Sequence, residues 1–234
     1  MPRMAQYPRV LPLGDTGFTV EFGDTVDPAI HDRVLAFARA AGSLGLRGLQ
    51  EIVPTYRSAA VFFDPVQVDA PALMDRLRAI AESPPVSSVE AARLVEIAVL
   101  YGGEFGPDLS DVAAFARLTP DEVIVLHTSV DYRVFMLGFS PGFPYLGPVP
   151  EPLGIPRLSE PRARVPAGSV GLAGSQTGIY PLESPGGWRI IGRTPLRLYD
   201  PAREAPFLLQ AGDRVRFRPI DREAYDRLAE RFVH

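Results

Sequence analysis

Cysteine, lysine and asparagine are all missing from this 234-residue sequence. Without cysteine there can be no disulfide, no thiolate nucleophile and no Cys-based metal site. All 24 basic residues are arginine, which removes both the lysine of a phosphate-binding loop and any Schiff-base chemistry. The three histidines, His31, His127 and His234, stand too far apart to suggest a ligand cluster, so no metal is expected. No apolar run approaches the ~20 residues a membrane-spanning helix needs. The amino terminus also lacks the charged-then-apolar pattern of a secretory leader, and the chain reads as cytoplasmic. A net charge of -4 gives no basic face for nucleic acid.

What remains is an ordinary globular composition, 46% hydrophobic and 22% charged, long enough for one large domain or two modest ones. Residues 8–22 alternate with period two around a GDTG turn, as a hairpin does. Residues 28–41 repeat apolar side chains at helical spacing, with Asp27 placed to cap and Pro28 at the first helical position. GLQEIVP and SAAVFFD then read as strands, and residues 70–82 as a second amphipathic helix. This order suggests an α+β sandwich with both helices on one face of a small antiparallel sheet.

The polar, proline-bearing stretch 83–90 reads as a linker, with the boundary near residue 88, dividing the chain into domains 1–88 and 89–234. Beyond it, RLVEIAVLY reads as a strand and DLSDVAAFARL as a short helix. TPDEVIVLHTS carries a capping box, Thr119 with Glu122. His127 falls near the end of that helix, where a positive ring would favour the dipole. DYRVFMLGF, RIIG, LRLYD and DRVRFRPI read as strands, and DREAYDRLAERFV as a closing helix. Many short strands joined by Gly- and Pro-rich turns favour a closed or nearly closed β-barrel.

The segment Gly138–Gly192 holds 11 glycines and 10 prolines in 55 residues, too many for an ordinary helix. It also gathers Arg157, Arg162, Arg164 and Arg189, four aromatics and the sole tryptophan, Trp188. In GFSPGFPYLG, residues Phe139, Gly142, Phe143 and Tyr145 could present rings and backbone amides to a ligand. Ser140 has the spelling of a nucleophile elbow, but Pro141 supplies no amide for an oxyanion hole. Arg162 and Arg164, two apart in an extended run, would share a face suited to carboxylate or phosphate, with Arg193 a third candidate. Surface ion pairs with Glu160 or Glu183 are the plainer alternative. Gln176, Thr177 and Tyr180 are neutral groups able to read an amide or lactam ring. Glu183 and His127 are the weak candidates for a catalytic role.

The motifs YGGEFGPDL (101–109), VIVLHTS (123–129), MLGFSPGFPYLG (136–147), PRARVPAGSVGLAGSQTGIYP (161–181) and SPGGWRIIGRTP (184–195) together resemble one family. It comprises the B subunit of the bacterial ATP-dependent 5-oxoprolinase, allophanate hydrolase subunit 1 and the sporulation kinase inhibitor. The resemblance implies a ferredoxin-like α/β domain followed by a cyclophilin-like β-barrel. It also implies two partners, the C and A components of the 5-oxoprolinase, which together with this chain open 5-oxoproline to glutamate, with ATP as co-substrate of the complex. On that reading Arg162, Arg164 and Arg193 supply positive field while Gln176, Thr177 and Tyr180 orient the ring. The same resemblance admits a non-catalytic inhibitor of a sensor histidine kinase, docking through Phe143, Tyr145 and Trp188, or one component of an enzyme acting on a urea-derived amide. Prolyl isomerase activity would rest on fold analogy alone.

Overall fold

The computed structural model describes residues 6–83 and 92–230. Two units separate by internal contact, Met1–Glu90 and Ala91–His234. Nearly all of the linker read at 83–90, and the boundary at 88, lie outside the described residues.

In the first unit four strands, β1 (Arg9–Pro12), β2 (Gly17–Glu21), β3 (Leu49–Pro54) and β4 (Ser58–Phe63), form an antiparallel sheet in the order β1-β2-β4-β3. Alternation decides which face is apolar: Phe18, Val20, Ala59, Val61 and Phe63 are buried, and their neighbours in sequence, apart from Gly17, are less so. The helices α1 (Pro28–Gly42) and α2 (Ala70–Glu82) cover that face with Val34, Phe37, Leu73 and Leu77. Asp27 starts α1 by accepting from the amides of Ala29 and Ile30 at 2.6 and 3.3 Å.

The second unit is a closed barrel of seven strands. They are β5 (Leu94–Tyr101), β6 (Tyr132–Leu137), β7 (Pro144–Gly147), β9 (Ser169–Ala173), β10 (Gln176–Ile179), β12 (Arg189–Arg193) and β13 (Arg214–Pro219). Around the wall the order is β10-β7-β6-β13-β5-β12-β9, and all neighbours are antiparallel except β13 and β5. Val99, Val134, Leu146, Val170, Leu172, Ile179, Ile191 and Phe217 fill the core. Two helices, α3 (Leu109–Ala116) and α4 (Pro120–Thr128), add Leu109, Val112 and Val123 to it. The capping box of α4 is present, with Thr119 N donating to Glu122 at 2.7 Å and Glu122 N to the Thr119 hydroxyl at 3.2 Å. A last helix, α5 (Arg222–Glu230), packs against β5.

The α+β architecture and the closed barrel match the sequence expectation. One segment differs. Residues 196–200, read as a strand, make only a single bridge between Tyr199 and Phe207, because Pro195, Pro201 and Pro206 leave little room for a ladder.

Outside the barrel wall lies a two-stranded ribbon of β8 (Arg162–Val165) and β11 (Ser184–Gly186). It explains why β9 is buried along its whole length: Val170 and Leu172 face the barrel core, while Ala173 joins a second apolar cluster with Phe143, Val165, Tyr180, Trp188 and Ile190.

Candidate functional site

Gly171 and Gly178 stand directly opposite one another in the β9–β10 ladder. Their lack of side chains leaves a bare patch of sheet on which aromatic rings can lie. A Cβ on Gly171 would sit 3.0 Å from the Trp188 Cβ, and one on Gly178 would sit 3.0 Å from both the Phe143 and Trp188 rings. Phe143 meets Tyr145, Tyr180 and Trp188 edge-on at centroid distances of 5.0, 5.2 and 5.4 Å. Such pairs add about 0.5–1.5 kcal/mol each beyond the area they bury. Phe143, Tyr180 and Trp188 are buried and Tyr145 is half-buried, so this face is a packed layer with a partly open margin. Burial pushes the Tyr180 phenol up, while the Trp188 backbone and the charges of Arg157 and Arg162 pull it down.

At the margin Phe139 is 65% exposed and holds a left-handed backbone, φ +65°. That conformation is strained for a bulky residue. Its ring touches Phe143 edge-on at 5.6 Å. Gly142, at φ +80°, completes the turn with the Tyr199 Cβ 3.1 Å from where its own Cβ would be.

The arginines diverge. Arg162 donates to Asp108 at 2.6 Å, and the other oxygen of this buried carboxylate accepts from the Ile190 amide at 2.6 Å. Arg164 instead forms an exposed two-pronged pair with Glu183, both bonds 3.0 Å. This is the surface ion pair anticipated as the plainer alternative. Arg193 lies over the Phe105 ring at 5.2 Å, among Tyr225 and Arg222. Arg157 lies over the Trp188 ring at 5.8 Å, and Arg189 approaches Asp111 at 3.4 Å. Arg162 thus joins the aromatic layer, while Arg164 and Arg193 make other contacts.

Thr177 and His127 belong to the barrel interior. The His127 ring is fully buried, with Nδ1 2.8 Å from the Tyr101 hydroxyl and Nε2 3.0 Å from the Thr177 hydroxyl. It stacks on Phe217 at 4.5 Å. Burial lowers its pKa to about 3, so the ring is neutral, in contrast to the positive helix-end ring read from the sequence. Gln176, half-buried, opens β10 opposite Ala173.

Sequence reasoning missed Asp108, Asp111 and Arg157 as neighbours of this layer. Asp108 and Arg162 are 54 residues apart, and no local pattern links them. Among the described residues no group of three or more His, Asp or Glu could hold a metal, and no helix is long and apolar enough to cross a membrane.

A profile described as carboxyltransferase domain, subdomain C and D, matches residues 8–209. The chain is 43% identical over 227 residues to the 5-oxoprolinase B subunit of Bacillus subtilis (strain 168), covering 91% of this chain and 93% of that one. It is 44% identical to the 5-oxoprolinase B subunit of Escherichia coli O157:H7, covering 88% and 94%. Among solved structures, TTHA0988 superposes with a TM-score of 0.78 at 44% identity over 88% of this chain. This chain spans only 40% of the TTHA0988 chain.

Proposed function

The chain belongs to the carboxyltransferase subdomain C and D family, and from that premise we propose that it acts as the B subunit of an ATP-dependent 5-oxoprolinase. Identity of 43–44% sustained across both units and nearly the full length of the relatives carries this reading. The lettered designation of those relatives points to a multi-subunit complex, and we take the partners to be a cyclophilin-like C component and an A component. A cytoplasmic location suits a chain with this substrate.

Opening a lactam is difficult because the amide carbonyl is a poor electrophile. ATP can supply activation by phosphorylating the lactam oxygen with loss of ADP; one water then adds to the activated carbon, the ring C–N bond breaks to leave an acyl phosphate, and a second water releases glutamate and inorganic phosphate. The arginines of this chain do not fit a single phosphate cradle: Arg164 is paired with Glu183, and Arg162 and Arg193 have separate neighbours. These arginines therefore carry no phosphoryl-transfer step on this reading. The chain's contribution is the open margin of the aromatic layer, with Arg162 and Tyr145 on it and Tyr180 buried behind it, that binds and orients the ring while the partners complete the site. Of the other residues read from sequence, Phe139, Gly142 and Phe143 shape that margin. Gln176 borders it, and Thr177 supports the wall from within.

Co-purification tests the reading. Tagged chain expressed with candidate A and C components should retain them, and the assembly should act on 5-oxoproline in preference to allophanate. Isolation of the chain alone, or preference for allophanate, would redirect the assignment within the family.

A further inference from the structure

Two guanidinium nitrogens beside the aromatic layer lack an acceptor for their hydrogens. Among the described residues, Arg162 Nη1 and Arg189 Nε are buried without a hydrogen-bond partner. A buried donor left unmade costs about 1–3 kcal/mol, so each needs an account. Both belong to residues already engaged on one side, Arg162 with Asp108 and Arg189 with Asp111. Both also attach to the same corner: Asp108 accepts from the amide of Ile190, which directly follows Arg189.

Arg157 reaches this corner from another loop. Leu158 N donates to Gly187 O at 2.7 Å, tying that loop to the residue before Trp188, and the Arg157 guanidinium lies over the indole. Across the ribbon Gly186 pairs with Arg162. A Cβ on Gly186 would fall 2.2 Å from the Tyr180 hydroxyl, so only glycine admits the phenol here. Arg157, Arg162, Tyr180 and Trp188 therefore come together although no sequence pattern joins them.

Charge decides what such a corner takes. Three guanidinium groups, Arg157, Arg162 and Arg189, stand with two paired carboxylates, Asp108 and Asp111, an excess of one positive charge among these five groups. One carboxylate neutralises that excess, and its planar pair of oxygens matches a guanidinium edge. A doubly charged phosphate would overshoot it.

We infer that Arg157 and Arg162, set around Trp188 and Tyr180, form a carboxylate-binding corner that takes the carboxylate of a small cyclic amide, leaving the ring on the open aromatic margin. This rests on the 5-oxoprolinase reading and names the part of the substrate that this chain holds. Arg157 is a new member of the site; Arg164 and Arg193 are outside it.

Trp188 is the sole tryptophan and so reports on its own corner. The full chain is titrated with 5-oxoproline, with 2-pyrrolidinone, which has the same ring and no carboxylate, and with inorganic phosphate, following indole emission. A saturable change with 5-oxoproline, none with 2-pyrrolidinone, and at least tenfold weaker response to phosphate is expected. Arg157→Gln, an exposed change that leaves the Asp108 pair intact, should raise the half-saturation concentration at least tenfold, as should Arg162→Gln. Equal responses to 5-oxoproline and 2-pyrrolidinone, phosphate as effective as 5-oxoproline, no response to 5-oxoproline, or an Arg157→Gln variant indistinguishable from the parent would overturn the inference. Turnover separates the two levels. If the assembly turns over 5-oxoproline and Arg157→Gln keeps the parental KM, the corner fails and the function stands. If Trp188 responds to 5-oxoproline but the assembly does not turn it over, the function fails and the corner stands.

Discussion

His127 Nε2 lies 3.0 Å from the Thr177 hydroxyl, which in turn lies 3.1 Å from the Gly171 carbonyl. A carbonyl only accepts, so the hydroxyl gives its hydrogen to Gly171 and must accept from Nε2. Nδ1 is then left to accept from the Tyr101 phenol at 2.8 Å. One tautomer satisfies the whole chain, and it links α4 and β5 to β10 and β9 through the barrel core.

Thr177→Val removes the acceptor and strands a buried imidazole N–H. The loss should be about 1–3 kcal/mol of unfolding free energy, measured by denaturant unfolding. Thr177→Ser should recover most of it. Equal stability of the valine variant and the parent would show that the chain of bonds is not needed.

Acid should weaken the second unit through the same ring. Burial lowers the His127 pKa to about 3 from 6.5. Between those values the unfolded chain binds a proton that the folded chain refuses. This contribution to stability is full above about pH 6.5 and falls as pH drops toward 3, by up to ~1.4 kcal/mol per pH unit. Denaturation midpoints followed from pH 7.5 to 4.5 should fall less steeply in His127→Gln than in the parent. Parallel curves would contradict a neutral buried ring.

Asp108→Ala breaks two bonds at once, leaving Arg162 without its counter-ion and the Ile190 amide without an acceptor. Removing one partner of a buried pair costs about 3–5 kcal/mol, and the lower end applies because the Arg162 side chain is 33% exposed. Asp108→Asn keeps an acceptor for Ile190 and should cost less. Thermal unfolding of both variants orders them; an alanine variant as stable as the parent would refute the pair's role.

Gly106 is constrained by backbone, not by a movable side chain. A Cβ there would lie 2.0 Å from the Ile191 carbonyl oxygen. Gly106→Ala should lower stability by at least ~3 kcal/mol, within the tail of large mutational effects, or prevent recovery of folded protein. Gly14→Ala, at φ +62° in open space, should cost only ~1 kcal/mol. Similar melting temperatures for the two would contradict the geometry.

Elements governed by neighbours in sequence were legible. Asp27 with Pro28 and Thr119 with Glu122 mark helix starts through bonds spanning three residues or fewer, so spelling and structure agree. The sequence reading puts Thr177 and Tyr180 in one ligand-reading set, yet strand alternation separates them. Thr177 and Ile179 point into the barrel, while Gly178 and Tyr180 face the aromatic layer. That signal was available, because the period of two holds even in so short a strand. The Asp108–Arg162 pair and the placement of Arg157 over Trp188 were not legible. The first depends on β8, which carries Arg162, and the second on the loop that Leu158 N holds to Gly187 O; closure over such distances leaves no local trace.

The most direct measurement is 5-oxoproline-dependent ATP hydrolysis by this chain alone and reconstituted with the A and C components. The account predicts turnover by the assembly and essentially none by the lone chain, with glutamate and ADP formed in equal amounts. Full turnover by the lone chain, or none by the complete assembly, would contradict it.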